Sequence, residues 1–155
     1  RSKYPHVSIG LEEDLNTFYS FVTPKGFLVE KITRYVKPDR EPFAIQLYEL
    51  EVPEYVYDKI KNELQYYVEN KNKLHYSKFA VALAILRIPL RHDRHAYFCS
   101  HFVAEVLENT GTVELPIRPI HRFARHLKRL PGLKLHYQGN MKTMIEHFKL
   151  TPALK

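Results

Sequence analysis

The sequence is poor in cysteine and has no long apolar run, and both shortages limit what the protein can be. Cys99 is the single cysteine among 155 residues, so no internal disulfide can form. A disulfide-stapled secreted scaffold and a cysteine-rich zinc module are therefore excluded. The longest apolar stretch, residues 79–86, is far shorter than the roughly 18 to 20 residues that cross a bilayer. We expect a soluble protein, with a cytoplasmic location favoured.

The sequence also lacks internal repeats and low-complexity segments, and its length suits one domain. A chain of this size buries roughly 70% of its unfolded-state surface on folding, so its core needs neither a disulfide nor a structural metal. We therefore expect a single domain over residues 1–155. Because the first residue is Arg1 rather than Met, we expect an initiator Met, and any leader, to precede it.

Acidic residues are scarce in the last third of the chain. Residues 118–149 contain eight Lys and Arg but only one acid, and the whole chain has a net charge of +7. Four of these cations recur every three or four residues along a predicted helix, namely Arg118, Arg122, Arg125 and Arg129. They form either a solvated face or a surface for an anionic cell-wall polymer, lipid headgroup or nucleic acid. No helix-turn-helix, zinc or aromatic-platform signature favours a specific nucleic-acid partner.

Apolar residues alternate early in the chain and recur at helical spacing later. Val7, Ile9 and Leu11 predict a half-buried strand, which forms a hairpin with a second strand over residues 17–22. Further extended segments are predicted at residues 27–36, 43–52 and 133–137. Helices are predicted at residues 53–70, 76–86, 99–109 (ended by Gly111) and 119–130, and after Asn140. We expect an α+β domain in which a small antiparallel sheet packs on the helix that carries Cys99, with the helices of residues 53–86 inserted between them.

Cys99 heads the third predicted helix, where a reactive thiol is favoured. The positive end of the helix dipole and the unpaired N–H groups of the first turn stabilise a thiolate and can bind an oxyanion. A nucleophilic thiol also needs a base, usually an imidazole. Among nine histidines His6 stands out, because Ser8 and Gly10 on its strand face would let the helix approach closely. Alternatively, Cys99 is a small buried side chain at the head of a core stripe formed by Phe102, Val103, Val106 and Leu107.

Three segments together resemble one known family. They are residues 4–11 (YPHVSIGL), 19–21 (YSF) and 98–104 (FCSHFVA). The combination is similar to the permuted NlpC-related branch of the papain-like cysteine hydrolases, a YiiX-like group related to lecithin retinol acyltransferase. In that branch the histidine strand precedes the cysteine helix, as His6 precedes Cys99 here. The resemblance covers roughly residues 4–137, and its specific part is the histidine strand together with the cysteine helix.

The resemblance implies a circularly permuted papain-like fold with a cysteine and a histidine in the active site. Cys99 would be the nucleophile and His6 its base and acid. Family members usually carry a third polar residue on the next strand, often a carboxylate or histidine, and here that strand offers Ser20. If Leu11 pairs with Thr17, His6 and Ser20 lie on the same sheet face. A hydroxyl can orient the imidazole, but it stabilises an imidazolium less than a carboxylate does.

The function implied by the resemblance is that of a thiol hydrolase, such as a cysteine peptidase or amidase, or an acyltransferase. Its substrate would be an amide or ester of peptide, cell-wall or lipid type, and we expect no cofactor. The alternative is a catalytically idle relative that binds an anionic partner through the basic helix. The presence of both Cys99 and His6 favours the enzyme.

His92 and His95 form a His-x-x-His pair that could suggest a metal site. Asp93 is the only carboxylate nearby and the chain has no second cysteine, so the ligand set for zinc is incomplete. We therefore expect no bound metal and interpret residues 91–95 as a charged connector that leads into the Cys99 helix.

Overall fold

A computed structural model describes residue 4 and residues 6–36, 43–86, 96–112 and 120–150. Within these ranges the chain forms helices and small sheets, so the predicted α+β class is confirmed. In chain order the elements are β1 (Ile9–Gly10), β2 (Thr17–Val22), β3 (Gly26–Lys31), β4 (Ala44–Leu50), α1 (Glu54–Asn70), β5 (His75–Tyr76), α2 (Lys78–Leu86), β6 (Ala96–Tyr97), α3 (Cys99–Asn109), α4 (Ile120–Leu127), β7 (Leu133–Asn140) and α5 (Met141–His147). Short 3-10 helices follow β3 (Ile32–Tyr35) and α1 (Lys71–Lys73).

The first sheet has three antiparallel strands in the order β1-β2-β3. Gly10 pairs with Phe18, so the next position in the same register brings Leu11 towards Thr17, as the sequence predicts. β2 has the predicted bounds and pairs with β3 along its whole length. β3 ends at Lys31, where the expected extended segment gives way to a 3-10 helix.

Two segments that are far apart in the sequence form the second sheet. β4 pairs antiparallel with β7, from Ala44 opposite Asn140 to Leu50 opposite Leu133. β7 therefore continues to Asn140 instead of ending at residue 137. Asn140 also caps α5, because its side-chain oxygen accepts a hydrogen bond from the Thr143 N–H at 2.9 Å.

Aromatic side chains form the centre of the main core, between the first sheet, α1 and α3. Phe21 of β2 and Phe27 of β3 both contact Phe102 of α3, with ring centroids 5.3 and 5.6 Å apart. Tyr67 of α1 completes this cluster, with its ring 4.9 Å from that of Phe102. All four side chains are buried. Their packing anchors α3, and with it Cys99, on the sheet.

The helix that carries Cys99 has the predicted bounds. Gly111 ends it in the left-handed conformation, with φ of +71°. The predicted core stripe is buried, but so are Ser100, His101 and Ala104 on the remaining sides. α3 is therefore a central helix that neighbouring elements cover on most of its surface.

The other helices differ from the expectation mainly at their ends. α1 follows Pro53 and buries one face, which consists of Val56, Ile60, Leu64 and Tyr67. α2 begins at Lys78 because residues 75 and 76 belong to β5, which pairs in parallel with β6. α4 covers residues 120–127 of the expected 119–130. In the part of the chain that the structure describes, no helix has the length and apolar character to cross a membrane.

α3 packs on the opposite face of the first sheet from the one that the sequence suggested. Gly10 and its partner Phe18 face away from Phe21, because successive side chains of a strand alternate. A Cβ atom at Gly10 would lie 2.9 Å from the Phe18 ring, so Phe18 covers the glycine. The helix meets the other face through Phe21. The expectation that Ser8 and Gly10 make room for the cysteine helix is therefore wrong.

Candidate active site

Cys99 is the first residue of α3, and its side chain is largely buried. Phe98 before it is extended, and the Phe98 carbonyl accepts the first helical hydrogen bond from the Phe102 N–H at 3.0 Å. Phe98 is 2% exposed and Cys99 is 8% exposed. The first N–H groups of a helix have no acceptor within it, and the helix dipole is positive there. The position therefore offers backbone donors to an oxyanion that forms next to the sulfur.

His6 connects this thiol to a carboxylate. Its imidazole shares a hydrogen bond with the Cys99 side chain, and its Nε2 lies 3.6 Å from Oε2 of Glu30. Burial lowers the pKa of His6, but the hydrogen bonds and charges of Cys99 and Glu30 outweigh this effect and raise the pKa to about 9. His6 is therefore an imidazolium at neutral pH. The structure thus brings Cys99 and His6 together, while their catalytic roles stay predictions.

Glu30 of β3 is the residue of this group that the sequence analysis did not single out. Its carboxylate is buried and accepts a hydrogen bond from Ser20 Oγ at 2.6 Å and another from the Tyr35 hydroxyl. Burial raises the pKa of the Glu30 carboxyl, but the hydrogen bonds from His6, Ser20 and Tyr35 outweigh it and hold the pKa below its usual value. Glu30 is therefore a fixed negative charge beside the imidazole.

Ser20 contacts the carboxylate of Glu30, whereas we expected it to orient the imidazole of His6. It is fully buried on β2 and shares a sheet face with Glu30, which pairs with Phe18 two positions earlier. Its hydroxyl donates to Glu30, so it holds the carboxylate in place. The contact that orients the imidazole comes from Glu30. A carboxylate stabilises an imidazolium more strongly than the hydroxyl that the sequence suggested.

A second buried polar group holds α3 against its neighbours. Oε1 of Glu105 accepts hydrogen bonds from the hydroxyl groups of Tyr97 at 2.8 Å and of Tyr67 at 3.3 Å. Nε2 of His101 lies 3.3 Å from the other carboxylate oxygen of Glu105. These contacts tie α3 to β6 and to α1. The first turns of the helix, and with them the Cys99 backbone, are therefore held from two sides.

Tyr76 of β5 is a further polar side chain near the thiol. It is half-buried, and burial raises the pKa of its phenol while the charge of Cys99 raises it further. The phenol therefore lies within electrostatic range of the sulfur and keeps its proton at neutral pH. The parallel pairing of β5 with β6 places Tyr76 beside Tyr97, two residues before Cys99. Tyr76 is thus a candidate hydrogen-bond donor to a group bound next to the thiol.

A cleft of about 1150 Å³ opens beside His6 and Glu30. Its walls are residues 6–11 around β1, the whole of β4, and parts of α3 and α4. Most of the lining side chains are apolar, such as Val103 and Leu107 of α3. A cleft of this size and character accommodates a hydrocarbon chain or a bulky apolar group next to the imidazole.

The basic residues of α4 carry charge to the surface. Arg125 of α4 and Arg129, which follows it, are exposed, whereas Phe123 of α4 is fully buried. Among the residues that the structure describes, no group of three or more His, Cys, Asp or Glu could hold a metal ion. The remaining positions that the sequence singled out lie outside the described part of the chain, namely Arg118, the side chain of Arg122, His92 and His95.

The structure therefore brings a thiol, an imidazole and a carboxylate together in one series of polar contacts, and a buried serine donates a hydrogen bond to the carboxylate. His6 and Glu30 precede Cys99 in the chain. Comparison with known proteins adds no relative: no family model, no curated protein and no solved structure matches this chain.

Proposed function

We propose that the protein is a thiol-dependent hydrolase or acyltransferase of the permuted papain-like type, which acts on an amide or ester bond. The observation that carries the proposal is the contact of His6 with both Cys99 and Glu30. The Glu30 carboxylate is buried, and burying a charge costs free energy, so a charged pair beside the sulfur is not expected around a cysteine that only fills space in a core. The order of His6 before Cys99 is also that of the permuted branch.

In the proposed reaction the thiolate of Cys99 attacks the carbonyl carbon of the substrate. The backbone N–H of Cys99 and the hydroxyl of Tyr76 stabilise the oxyanion of the tetrahedral intermediate. His6 donates its proton to the leaving amine or alcohol as the intermediate collapses to a thioester. Neutral His6 then takes a proton from water or from an acceptor alcohol, which attacks the thioester and releases the acyl product and the thiolate.

Glu30 supports this reaction by keeping His6 charged and oriented. An imidazole with a pKa of about 9 is protonated at neutral pH, as a general acid for the leaving group must be. Ser20 and Tyr35 hold the carboxylate by their hydroxyl groups. Both therefore act as positioning residues in the proposal.

The cleft supports a substrate with an apolar part. It reaches His6 and Glu30 at one point and is lined mainly by apolar side chains elsewhere. Of the three substrate types that the sequence left open, a lipid-type ester or an amide with a large apolar side chain fits this lining better than a polar cell-wall peptide.

Alkylation with iodoacetamide at pH 6 tests the thiol. A thiolate paired with an imidazolium reacts at this pH far faster than a model thiol, whose pKa is about 8.5, and we expect this of Cys99. His6→Ala should slow the reaction. His147→Ala, which removes an exposed histidine of α5 that does not line the cleft, is the matched control and should change nothing. Equal rates in wild type and His6→Ala would contradict the proposed pair.

Turnover is tested with p-nitrophenyl esters of short and long acyl chains. We expect release of p-nitrophenol and an acyl group on Cys99 that mass spectrometry detects, with faster reaction for the longer chains. Cys99→Ser should give neither product. If Cys99 of the wild-type protein is alkylated rapidly but no ester acylates it, the proposed acyl transfer is refuted.

Tyr76→Phe separates the proposed oxyanion donor from the thiol. Alkylation forms no oxyanion, so its rate should be unchanged in the variant. Acylation by an ester should slow by about 100-fold or more, because one oxyanion donor is lost. A parallel loss in both reactions would assign Tyr76 to the environment of the sulfur instead.

The second candidate function is that of a binding module for an anionic partner. The observation that favours it is the exposure of Arg125, Lys128 and Arg129, which lie at or directly after the end of α4. In that case Cys99 would be alkylated no faster than a model thiol, and the outcome of the alkylation experiment distinguishes the two functions.

A further inference from the structure

α2 presents an apolar face to solvent. Phe79 is 73% exposed, Ile85 57% and Leu86 66%. At 100° per residue these side chains fall on one arc of the helix together with exposed Ala82 and Lys78. Single exposed apolar residues are ordinary, but a contiguous apolar face marks a surface that contacts something else.

The opposite side of α2 is anchored next to the candidate active site. Ala80 and Phe98 are buried in one cluster, and Tyr76 and Val81 pack against it. Phe98 is the residue before Cys99, and Tyr76 lies within electrostatic range of the sulfur. α2 is thus fixed on the edge of the site while its outer face is open.

The chain segment that contains α2 has charged residues of one sign. Residues 70–92 contain five Lys and Arg and no Asp or Glu. Three of these cations, Lys71, Lys73 and Lys78, lie in the described part of the chain and are exposed. The combination, within this segment, of an exposed apolar helix face with cations and no acid matches the chemistry of an anionic bilayer surface, where hydrocarbon lies beneath negatively charged headgroups.

We propose that α2 is a peripheral membrane-binding element that inserts Phe79, Ile85 and Leu86 into the headgroup region of an anionic bilayer. The apolar face of α2 presents three large exposed side chains, whereas a stable protein interface buries about 800 Å² on each partner. A bilayer needs no such area, because insertion of a few apolar side chains combines with attraction of the surrounding cations. α2 lies in the interface plane.

The proposal does not depend on the thiol chemistry, and its test is a binding measurement. Wild-type protein is sedimented with phosphatidylcholine vesicles with and without phosphatidylserine, at low and high salt. We expect binding that requires phosphatidylserine and weakens with salt, because exposed charges act through a screened field. Cys99→Ser should bind equally well, so a failed acyl-transfer assay leaves this outcome unaffected.

Substitutions locate the contact. Leu86→Asp and Phe79→Asp should each lower the partition coefficient about tenfold or more, because an apolar side chain is no longer transferred from water. Leu135→Asp changes a leucine of similar exposure on β7 and is the matched control. Circular dichroism checks that each variant is folded.

Three outcomes would overturn the proposal. The first is the absence of binding to phosphatidylserine vesicles at low salt. The second is equal binding by Leu86→Asp and Leu135→Asp. If the double variant Arg125→Gln with Arg129→Gln then abolishes binding, the membrane contact belongs to the segment around α4. The third is a wild-type dimer that Leu86→Asp converts to a monomer, which would show that a second copy covers the face.

Discussion

Removal of the negative charge of Glu30 should lower the pKa of His6 by about one to three units. The substitution Glu30→Gln keeps the size of the side chain, and its amide oxygen can accept from either Ser20 or Tyr35, which donate to different oxygens of the carboxylate. It removes the charge that lies 3.6 Å from Nε2 of His6. The hydrogen bond from the imidazole to Cys99 is retained in the variant.

The magnitude follows from the distance. Two unit charges 3.6 Å apart interact by about 1 kcal/mol in water and by about 5 kcal/mol at an effective dielectric constant of about 20. At about 1.4 kcal/mol per pKa unit, this range corresponds to roughly one to three units. The His6 side chain is 35% exposed, so solvent screening favours the smaller of these shifts, near one unit. The pKa should therefore fall from about 9 into the range of about 6 to 8.

Nuclear magnetic resonance titration of the histidine Cε1–H signals measures this pKa directly. The signal that disappears in His6→Asn identifies the residue. Glu63→Gln is the matched control, because Glu63 contacts Asn109 at the far end of α3, about 15 Å along the helix from Cys99. A His6 midpoint that is the same in wild type, Glu30→Gln and Glu63→Gln would refute the electrostatic role of Glu30.

Other consequences concern stability and the basic helix. Because folding raises the pKa of His6 from 6.5 to about 9, its contribution to the free energy of unfolding is fully present below pH 6.5 and is lost as the pH rises through 9. Urea unfolding measures this: between pH 6.5 and pH 9 the free energy of unfolding should decrease more for wild type than for His6→Asn, and equal decreases would contradict the shift. Gly10→Ala should destabilise the fold by about 1 to 3 kcal/mol, since its methyl group would meet the buried Phe18 ring, and an unchanged melting temperature would contradict this. Replacing Arg125 and Arg129 by Gln should leave the alkylation rate of Cys99 unchanged, because both side chains are exposed, and a slower rate would place them in the thiol site.

Local sequence signals were enough to predict the elements that carry the thiol. The helical spacing of the core stripe and the glycine at position 111 predicted both ends of α3, and the strand expected after the acidic turn has the bounds of β2. These elements depend on nearby residues, so a short window of sequence contains the information. Cys99 could be placed at the head of a buried helix for the same reason.

The partner of the imidazole could not be identified in this way. Glu30 alternates in the sequence with Leu28 and Ile32, so an acid in an apolar alternation was a usable signal, but the expected strand continued to residue 36 and gave Glu30 no special place. The parallel pair of β5 and β6 was also missed, because two strands of two residues have no periodicity. Both features depend on pairing between distant segments, which the sequence does not encode locally.

The pairing of β4 with β7 has a consequence for the order of folding. Its partners are separated by more than half of the chain, whereas the strands of the first sheet all lie within residues 9–31. Contacts between distant residues require closure of a large loop and form slowly. Until β7 arrives, β4 has an open edge that can pair with another chain. His6, Glu30 and Cys99 all precede β7, so the thiol site can assemble in an intermediate that still lacks the partner strand of one wall of its cleft.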